Sequence, residues 1–485
     1  MKISKITIKD FRGFPGEYEF ILGEPGKNLL IYGENGSGKS SLFLAIKLFL
    51  EASREKLDIT PFQNIFVENG EPTVKLDIMA FDANGDRVEG SQTYEWVADA
   101  SPYGLPMIEE TAKTRGCLDY KDLLATHYVH LNSGEVDLFS LLINSLISHS
   151  PNPISNKPFY EEWANINTSV SKRLTVREKE DMNRRIEIFN NGIAALLPDL
   201  CLKTNEILDF FNQTITVDLK VQTKSDFITK PKQLVKPRIY LKVHYAGQPI
   251  EAHHRFLNEA RLSAIALSIY FASLLMNPAS RLRVIVLDDV LIGIDMSNRM
   301  PVLDLLKKRF NDWQIIILTH DRTWFDIIRF QTQEAEWCYY EVYANKDSER
   351  GYDRPVLRPL NKDAVSELLN RAKQHLSSND ERAAAVYARA AFEYLAKSIC
   401  DKKIPVPFTL DNTHIESNVL WEAIKKRVSD KGKHAEYQGK IKDLETFRNI
   451  VLNPWSHGAG AHVVKAEIQG AIDAVEALKD MRKKL

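Results

Sequence analysis

The chain has 485 residues, enough for two to four domains at roughly 100–200 residues each. Its 64 Lys and Arg balance 65 Asp and Glu, which excludes a strongly basic or acidic protein but leaves room for a local charged patch. Hydrophobic residues at 44% and charged residues at 27% fit a soluble globular protein. Cys117, Cys201, Cys338 and Cys400 are far apart and match no metal or redox spacing, so reduced thiols in a cytoplasmic protein are expected. The opening MKISKITIKDF alternates like a strand instead of a signal peptide. The longest apolar run, read near Leu42–Leu50, is interrupted by Lys47 and falls short of the ~20 residues that span a bilayer, so no membrane partner is expected.

In chain order, residues 3–8 alternate and 18–21 form a second strand after the Phe11-Arg12-Gly13-Phe14 turn. Asn28 to Tyr32 is a short apolar strand running into a glycine-rich turn, and a helix follows from about Gly38 to Ala52. Further strands are expected at 73–81 and 92–96. The Pro, Asn and Ser content of 151–158 marks a loop. Residues 160–212 have helical spacing. Strand patterns return at 214–223 and 238–245, and helix and strand then alternate to about Tyr343 as in an α/β core. After Pro359 the spacing is helical throughout, at 363–376, 381–400, 418–428, 437–451 and 462–478. The expected division is 1–150 and 214–350 as the two lobes of an α/β domain, 151–213 as a helical insertion, and 361–485 as an all-α domain.

The segment Gly33-Glu34-Asn35-Gly36-Ser37-Gly38-Lys39-Ser40 fits G-x-x-x-x-G-K-[ST]. A strand precedes it and a helix follows, as the mechanism requires. Glycines at these positions let successive backbone N–H groups face phosphate oxygens. The lysine reaches the β and γ phosphates, and the serine hydroxyl binds Mg²⁺. Gly33, Asn35, Gly36, Ser37, Gly38, Lys39, Ser40 and the adjoining Ser41 are therefore candidates for binding ATP. The buried-strand run Val284–Leu287 ends in Asp288-Asp289, a Walker B pattern. Asp288 is the candidate Mg²⁺ partner of Ser40, and Asp289 the acid that orients the attacking water. A third buried run, Ile315–Leu318, ends in Thr319-His320-Asp321, where His320 can hydrogen-bond the γ-phosphate or that water.

This order of motifs, with the opening Ile6-Thr7-Ile8-Lys9-Asp10-Phe11-Arg12, resembles the RecF/RecN/SMC branch of ABC ATPases over roughly residues 1–345. The resemblance implies an ABC-type P-loop head that binds ATP and Mg²⁺ between two copies. It also implies a signature motif at a helix start, and Phe256-Leu257-Asn258-Glu259-Ala260-Arg261 aligns with it. Asn258 replaces the serine there, Glu259 and Ala260 replace the two glycines, and Asn258 and Ala260 are the candidate contacts to the opposite subunit's nucleotide. Gly293-Ile294-Asp295 resembles the D-loop. The Q-loop is assigned either to Gln63 or to the region around Tyr120. Within the branch, Phe256–Ser263 and Leu287–Gly293 are most similar to bacterial anti-phage ATPases, namely the Septu family (PtuA) with its retron-associated relatives, and the PARIS ATPase beside them. The Septu resemblance implies a partner HNH nuclease (PtuB-like), and the branch as a whole keeps DNA as a candidate partner.

Where most ABC heads carry a catalytic Glu, this chain has Asp289. Its side chain is one methylene shorter, and misplacement of about an ångström can cost on the order of a hundredfold in rate. Slow hydrolysis suited to sensing or gating is expected. Two other readings stay open. A HEPN-like ribonuclease would use Arg448 and His457, but they stand farther apart than in HEPN enzymes, with Pro454 between them. A RecF-like repair ATPase would work without an effector.

Overall fold

The alternating start of the chain folds as β1 (Lys2–Phe11), which turns at Arg12-Gly13 into β2 (Phe14–Ile21); the apolar β3 (Asn28–Gly33) follows. The computed structural model describes residues 1–24, 26–80, 92–120, 137–170, 175–211, 214–229, 232–251, 253–291, 296–333, 335–347, 351–360, 364–403, 417–430, 434–452 and 465–482. Helix α1 (Lys39–Ala52) leads to β4 (Thr73–Met79), β5 (Gln92–Trp96), α2 (Pro106–Lys113) and β6 (Cys117–Asp119). Next come α3 (Phe159–Val170) and the long α4 (Val176–Leu208). The start of α4 is fixed by a capping box in which Thr175 and Glu178 each accept the other's backbone N–H. Strands β7 (Ile215–Thr223), β8 (Asp226–Thr229), β9 (Lys232–Val235), β10 (Arg238–Tyr245) and β11 (Gln248–Ile250) precede α5 (Glu259–Met276). The α/β core then runs β12 (Val284–Asp288), α6 (Met296–Arg309), β13 (Gln314–Thr319), α7 (Arg322–Gln331), β14 (Trp337–Lys346) and β15 (Asp353–Leu360).

Two sheets share the core around α1. One is antiparallel, in the order β2-β1-β4-β5. The other has six strands, in the order β15-β14-β3-β13-β12-β6, and β14, β3, β13, β12 and β6 run parallel. Every residue of β12 and β13 is buried, which is why these strands read as unbroken apolar runs. Helix α1 fills the space between the sheets: Leu42, Phe43, Ile46 and Phe49 pack with Ile6 and Ile8 from one sheet and with Val286 and Ile316 from the other. The side-chain amide of Gln314, itself fully buried, joins the two layers. It accepts from Ile3 N (2.7 Å) and donates to the carbonyls of Ile3 (2.8 Å) and Lys27 (2.8 Å).

The structure departs from sequence expectation at particular elements. The α/β core continues past Tyr343 into β15, whose Pro355 and Pro359 fit its place at the sheet edge. The hairpin β8-β9 was not expected. The longest apolar stretch belongs to α5, not to Leu42–Leu50. By length and composition α5 could cross a membrane, but most of it is buried inside its own unit, against α4.

The chain separates into two units, Met1–Pro359 and Leu360–Leu485. The second is helical, with α8 (Ala364–Ser377), α9 (Glu381–Lys403), α10 (Ser417–Asp430), α11 (His434–Phe447) and α12 (Lys465–Arg482). Ala384, Ala385, Ala388 and Ala391 on α9 are fully buried and let neighbouring helices approach closely. After α11 the backbone widens into a π-type turn, Arg448–Leu452. This turn corrects the expected continuous helix to residue 451 and carries Arg448 into the core, where only 5% of it is exposed. His457 lies outside the described residues.

Candidate functional site

The turn between β3 and α1 carries the residues read as phosphate-binding. Gly33 cannot be replaced without collision: a Cβ there would stand 2.4 Å from Ser37 Oγ and 2.7 Å from the Val342 carbonyl. Gly36 and Gly38 have φ of 84° and 104°, the left-handed region that L side chains avoid. Lys39 is buried, and its Nζ folds back to donate to the carbonyls of Gly33 (2.7 Å) and Glu34 (3.1 Å). Burial lowers its pKa, against the pull of Asp289 and Asp288. Asn35, Gly36 and Ser40 are exposed on the turn, while Ser37 Oγ is buried with no hydrogen-bond partner. Ser41 Oγ accepts from Gly13 N at 3.3 Å, tying the turn to the β1–β2 connection.

Strand register brings the other candidates to this turn. β13 lies between β3 and β12, with Thr319 opposite Tyr32 and Leu318 opposite Asp288. The C-terminal ends of all three strands therefore form one edge, where open α/β sheets place their ligands. The Ser40 hydroxyl hydrogen-bonds Asp288 across that edge. Asp288 is buried, and its Oδ1 has no partner. Burial pushes its pKa up to about 6, with Asp289 and Asp119 adding to the rise and Ser40 and Lys39 opposing it.

Asp289 and His320, read separately from the sequence, are in direct contact. Asp289 has φ of 53°, and its Oδ1 accepts from His320 N (2.9 Å) and lies 2.9 Å from His320 Nδ1. A carboxylate accepting at Nδ1 places the proton on that nitrogen and leaves Nε2 as the acceptor of the neutral ring. The next residue, Asp321, caps α7 by accepting from Trp324 N at 3.1 Å and is ion-paired with the buried Arg299 of α6. A cavity of about 240 Å³ behind this cluster is lined by Asp289, His320, Arg299, Asp321 and Trp324 among others.

Sequence reading missed Asp119. It ends the three-residue strand β6, in register with Asp288, and so brings a third carboxylate to the edge. So short a strand has no periodicity to reveal it. Of the two Q-loop assignments, Tyr120 follows Asp119 at this edge, whereas Gln63 bridges Phe11 and donates to the Val67 carbonyl at 2.8 Å. Asn258 and Ala260 stand elsewhere, at the start of α5. Asn258 is the exposed N-cap, with Oδ1 accepting from Arg261 N at 3.1 Å, and Ala260 is buried. Gly293, Ile294 and Asp295 lie outside the described residues.

The residues present fit magnesium and a nucleotide phosphate chain. A side chain at Gly33 would collide and Gly36 and Gly38 hold left-handed backbone, the lysine is held at the turn, and an unpartnered carboxylate oxygen stands beside a serine hydroxyl. The comparison with protein families agrees. The family described as RecF/RecN/SMC N-terminal domain matches residues 2–333. Among solved structures, the Smc head domain with an extended coiled coil from Pyrococcus furiosus, crystallised with the C-terminal domain of ScpA, is 16% identical. That match covers 77% of this chain and 99% of the other, with a TM-score of 0.45. The SMC head domain from Thermotoga maritima is 15% identical over 74% of this chain and 100% of its own, with a TM-score of 0.37. The comparison with curated proteins gave no match. The chain belongs to the RecF/RecN/SMC N-terminal domain family and carries an SMC-like ATPase head of the ABC type.

Proposed function

We propose that this protein is a slow, magnesium-dependent ATPase whose nucleotide state gates a partner nuclease of the HNH type in bacterial anti-phage defence, as the Septu (PtuA) resemblance implies. The observation that carries the enzymatic part is the convergence of Lys39, Ser40, Asp288, Asp289 and His320 on one sheet edge. In this reading the amides of residues 35–41 and the Lys39 ammonium hold the phosphate chain. Ser40 and Asp288 hold Mg²⁺, which supplies charge neutralisation at the phosphates. Asp289 fixes the His320 ring through Nδ1, which leaves Nε2 to accept, and the pair positions water at the phosphate edge. The short Asp289 side chain is already engaged by His320, which supports slow turnover. Persistent ATP-bound heads could then report nucleotide supply to an effector.

The signature reading places Asn258 in trans, on a second copy's nucleotide. Its exposure supports this, as does the bond that occupies Oδ1 and leaves Nδ2 as a donor. The helical unit is proposed as the docking or assembly domain. The ribonuclease alternative finds little support at Arg448, whose guanidinium stacks over Phe392 (5.2 Å) and Trp421 (5.8 Å) and donates to Asn418 Oδ1 at 3.3 Å. It packs as a core cation, not as an exposed acid–base group.

Asp289→Asn should keep ATP affinity and lower steady-state phosphate release at least tenfold below a wild-type rate that is itself under the roughly 1–10³ s⁻¹ of typical enzymes. Fast wild-type turnover, or no effect of the variant, would remove the catalytic assignment. Ionising Asp288 is unfavourable in the folded protein, because its raised pKa favours the neutral form. That penalty is absent below the unfolded pKa near 3.8 and grows as pH rises to about 6. In magnesium-free buffer Asp288→Asn should therefore melt higher than wild type at pH 8, and the difference should shrink at pH 5; calorimetric melts at both pH values check it. Asn258→Arg should bind ATP yet fail to form the dimer that a non-hydrolysable analogue induces in wild type, measured by light scattering. Normal dimer formation by that variant would contradict the signature alignment.

A further inference from the structure

Cationic and imidazole side chains gather at the end of α1 remote from the phosphate turn, where nucleotide chemistry has no use for them. Helix α1 has 14 residues, so its ends stand about 21 Å apart at 1.5 Å per residue. Lys39 opens the helix, and Arg54 lies just past its other end. Three further segments meet Arg54 there: Arg115 after α2, Ser148-His149 ahead of α3, and Tyr160 in the first turn of α3. The buried Asn277, at the end of α5, holds the first two together. Its Nδ2 donates to the carbonyls of Leu146 (2.7 Å) and Thr114 (3.4 Å), and its Oδ1 accepts from Ser150 Oγ at 3.1 Å. Tyr270 Oη adds a bond to the Arg115 carbonyl at 3.1 Å, so Arg115 is fixed with φ of 59°.

His149 is 2% exposed, yet neither Nδ1 nor Nε2 has a hydrogen-bond partner. Its ring meets the Tyr160 ring at 4.7 Å between centroids, and the Arg54 guanidinium lies over that same ring at 5.6 Å. Arg115 Nε donates to Ser148 Oγ, the neighbour of His149, at 3.4 Å. Among the described residues no carboxylate stands within ion-pair distance of Arg54 or Arg115. Glu51 and Glu55 act on Arg115 only from farther off, and the nearby Lys113 is taken by Glu109 at 2.7 Å. Burial lowers the Arg115 pKa and Arg54 lowers it further. Burial also lowers His149 to about 3, with Arg54, Arg115 and Lys113 adding to the fall, so the ring is neutral. Two arginines that repel each other and a buried ring with both nitrogens idle cost the fold stability. A bound anion would relieve all three.

We propose that Arg54, Arg115 and His149 form a second anion site, separate from the nucleotide site, which takes a single phosphate group, free or at the end of a small molecule. A guanidinium presents parallel N–H groups that match phosphate oxygens, and the neutral imidazole keeps one N–H to donate. Tyr160 is the wall that sets Arg54 beside His149. At 2% exposure His149 is within reach of one phosphoryl group entering a recess, not of a nucleic-acid backbone whose phosphates run along a surface. The site stands on its own residues and does not depend on how the phosphate turn is read.

Inorganic phosphate could also enter the phosphate turn, so the probe is titrated by calorimetry into the full chain carrying Lys39→Ala. One-site binding of inorganic phosphate should persist there. Adding Arg115→Gln should weaken it about tenfold or more, as loss of a charge-assisted hydrogen bond does. Arg54→Gln, on a half-buried residue outside the helix, should give a similar loss and serves if the Arg115 variant does not fold. His149→Phe, which keeps a ring against Tyr160 but no N–H, should weaken phosphate as well. Glycerol 3-phosphate separates the two sources: binding of both probes supports a terminal phosphate on a small molecule, and binding of inorganic phosphate alone supports the free ion. No phosphate binding by the Lys39→Ala protein, or binding that the added substitutions leave unchanged, overturns the site. So does a 5′-phosphorylated oligonucleotide that binds through Arg115 where inorganic phosphate does not.

Discussion

The parallel register of β3, β13 and β12 is the constraint on which the site depends. A shift of one residue in a strand turns each of its side chains to the opposite face, so the position of His320 beside Asp289 depends on β13 being held in place. Two side-chain amides, the buried Gln314 and the half-buried Asn28, do that at its start. Asn28 Oδ1 accepts from Ile315 N at 2.8 Å, and Gln314 spans the first strand of the other sheet and the Lys27 carbonyl. Both amides bond where β13 begins, and the proposed chemistry lies where it ends. The buried aliphatic side chains between them make the strand a rigid spacer.

The site works against the stability of the fold that carries it. Asp288 is buried at an edge it shares with Asp289, Asp119 and one buried lysine, and its raised pKa follows first from that burial and then from the neighbouring carboxylates. Asp289 also stands in the left-handed region, uncommon for a residue with a side chain and tolerated best by Asp and Asn. Costs of this kind collect at functional sites and are offset elsewhere, here by the shared core of α1 and the two sheets. The Arg299–Asp321 ion pair links α6 to α7 directly behind His320, so movement of α6 would be felt at the histidine.

The sequence made legible what is written locally. The phosphate turn, the acidic pair and the histidine each follow a run of apolar residues, and a glycine-rich or acidic stop after a buried strand carries its own mechanism. The α/β head with a helical second part was read on the same grounds. What remained hidden depends on pairing at a distance. The Asp289–His320 contact, the Asp119 neighbour of Asp288 and the Arg54–Tyr160 contact all join residues whose separation in the chain gives no sign of contact. Helix α5 is buried on nearly every face and so lacks the polar stripe that marks an amphipathic helix. The π-type turn at Arg448 followed a pattern that still looked helical, because an extra residue in a turn changes the facing of side chains but not their composition.

The central claim is that the edge formed by β3, β13 and β12 binds ATP with magnesium through Lys39. Titration calorimetry of the full chain with ATP and Mg²⁺, wild type against Lys39→Ala, tests it most directly. Saturable one-site binding by wild type, lost or weakened at least a hundredfold in a variant that still melts cooperatively, is the predicted result. Equal affinity in the two proteins would contradict it.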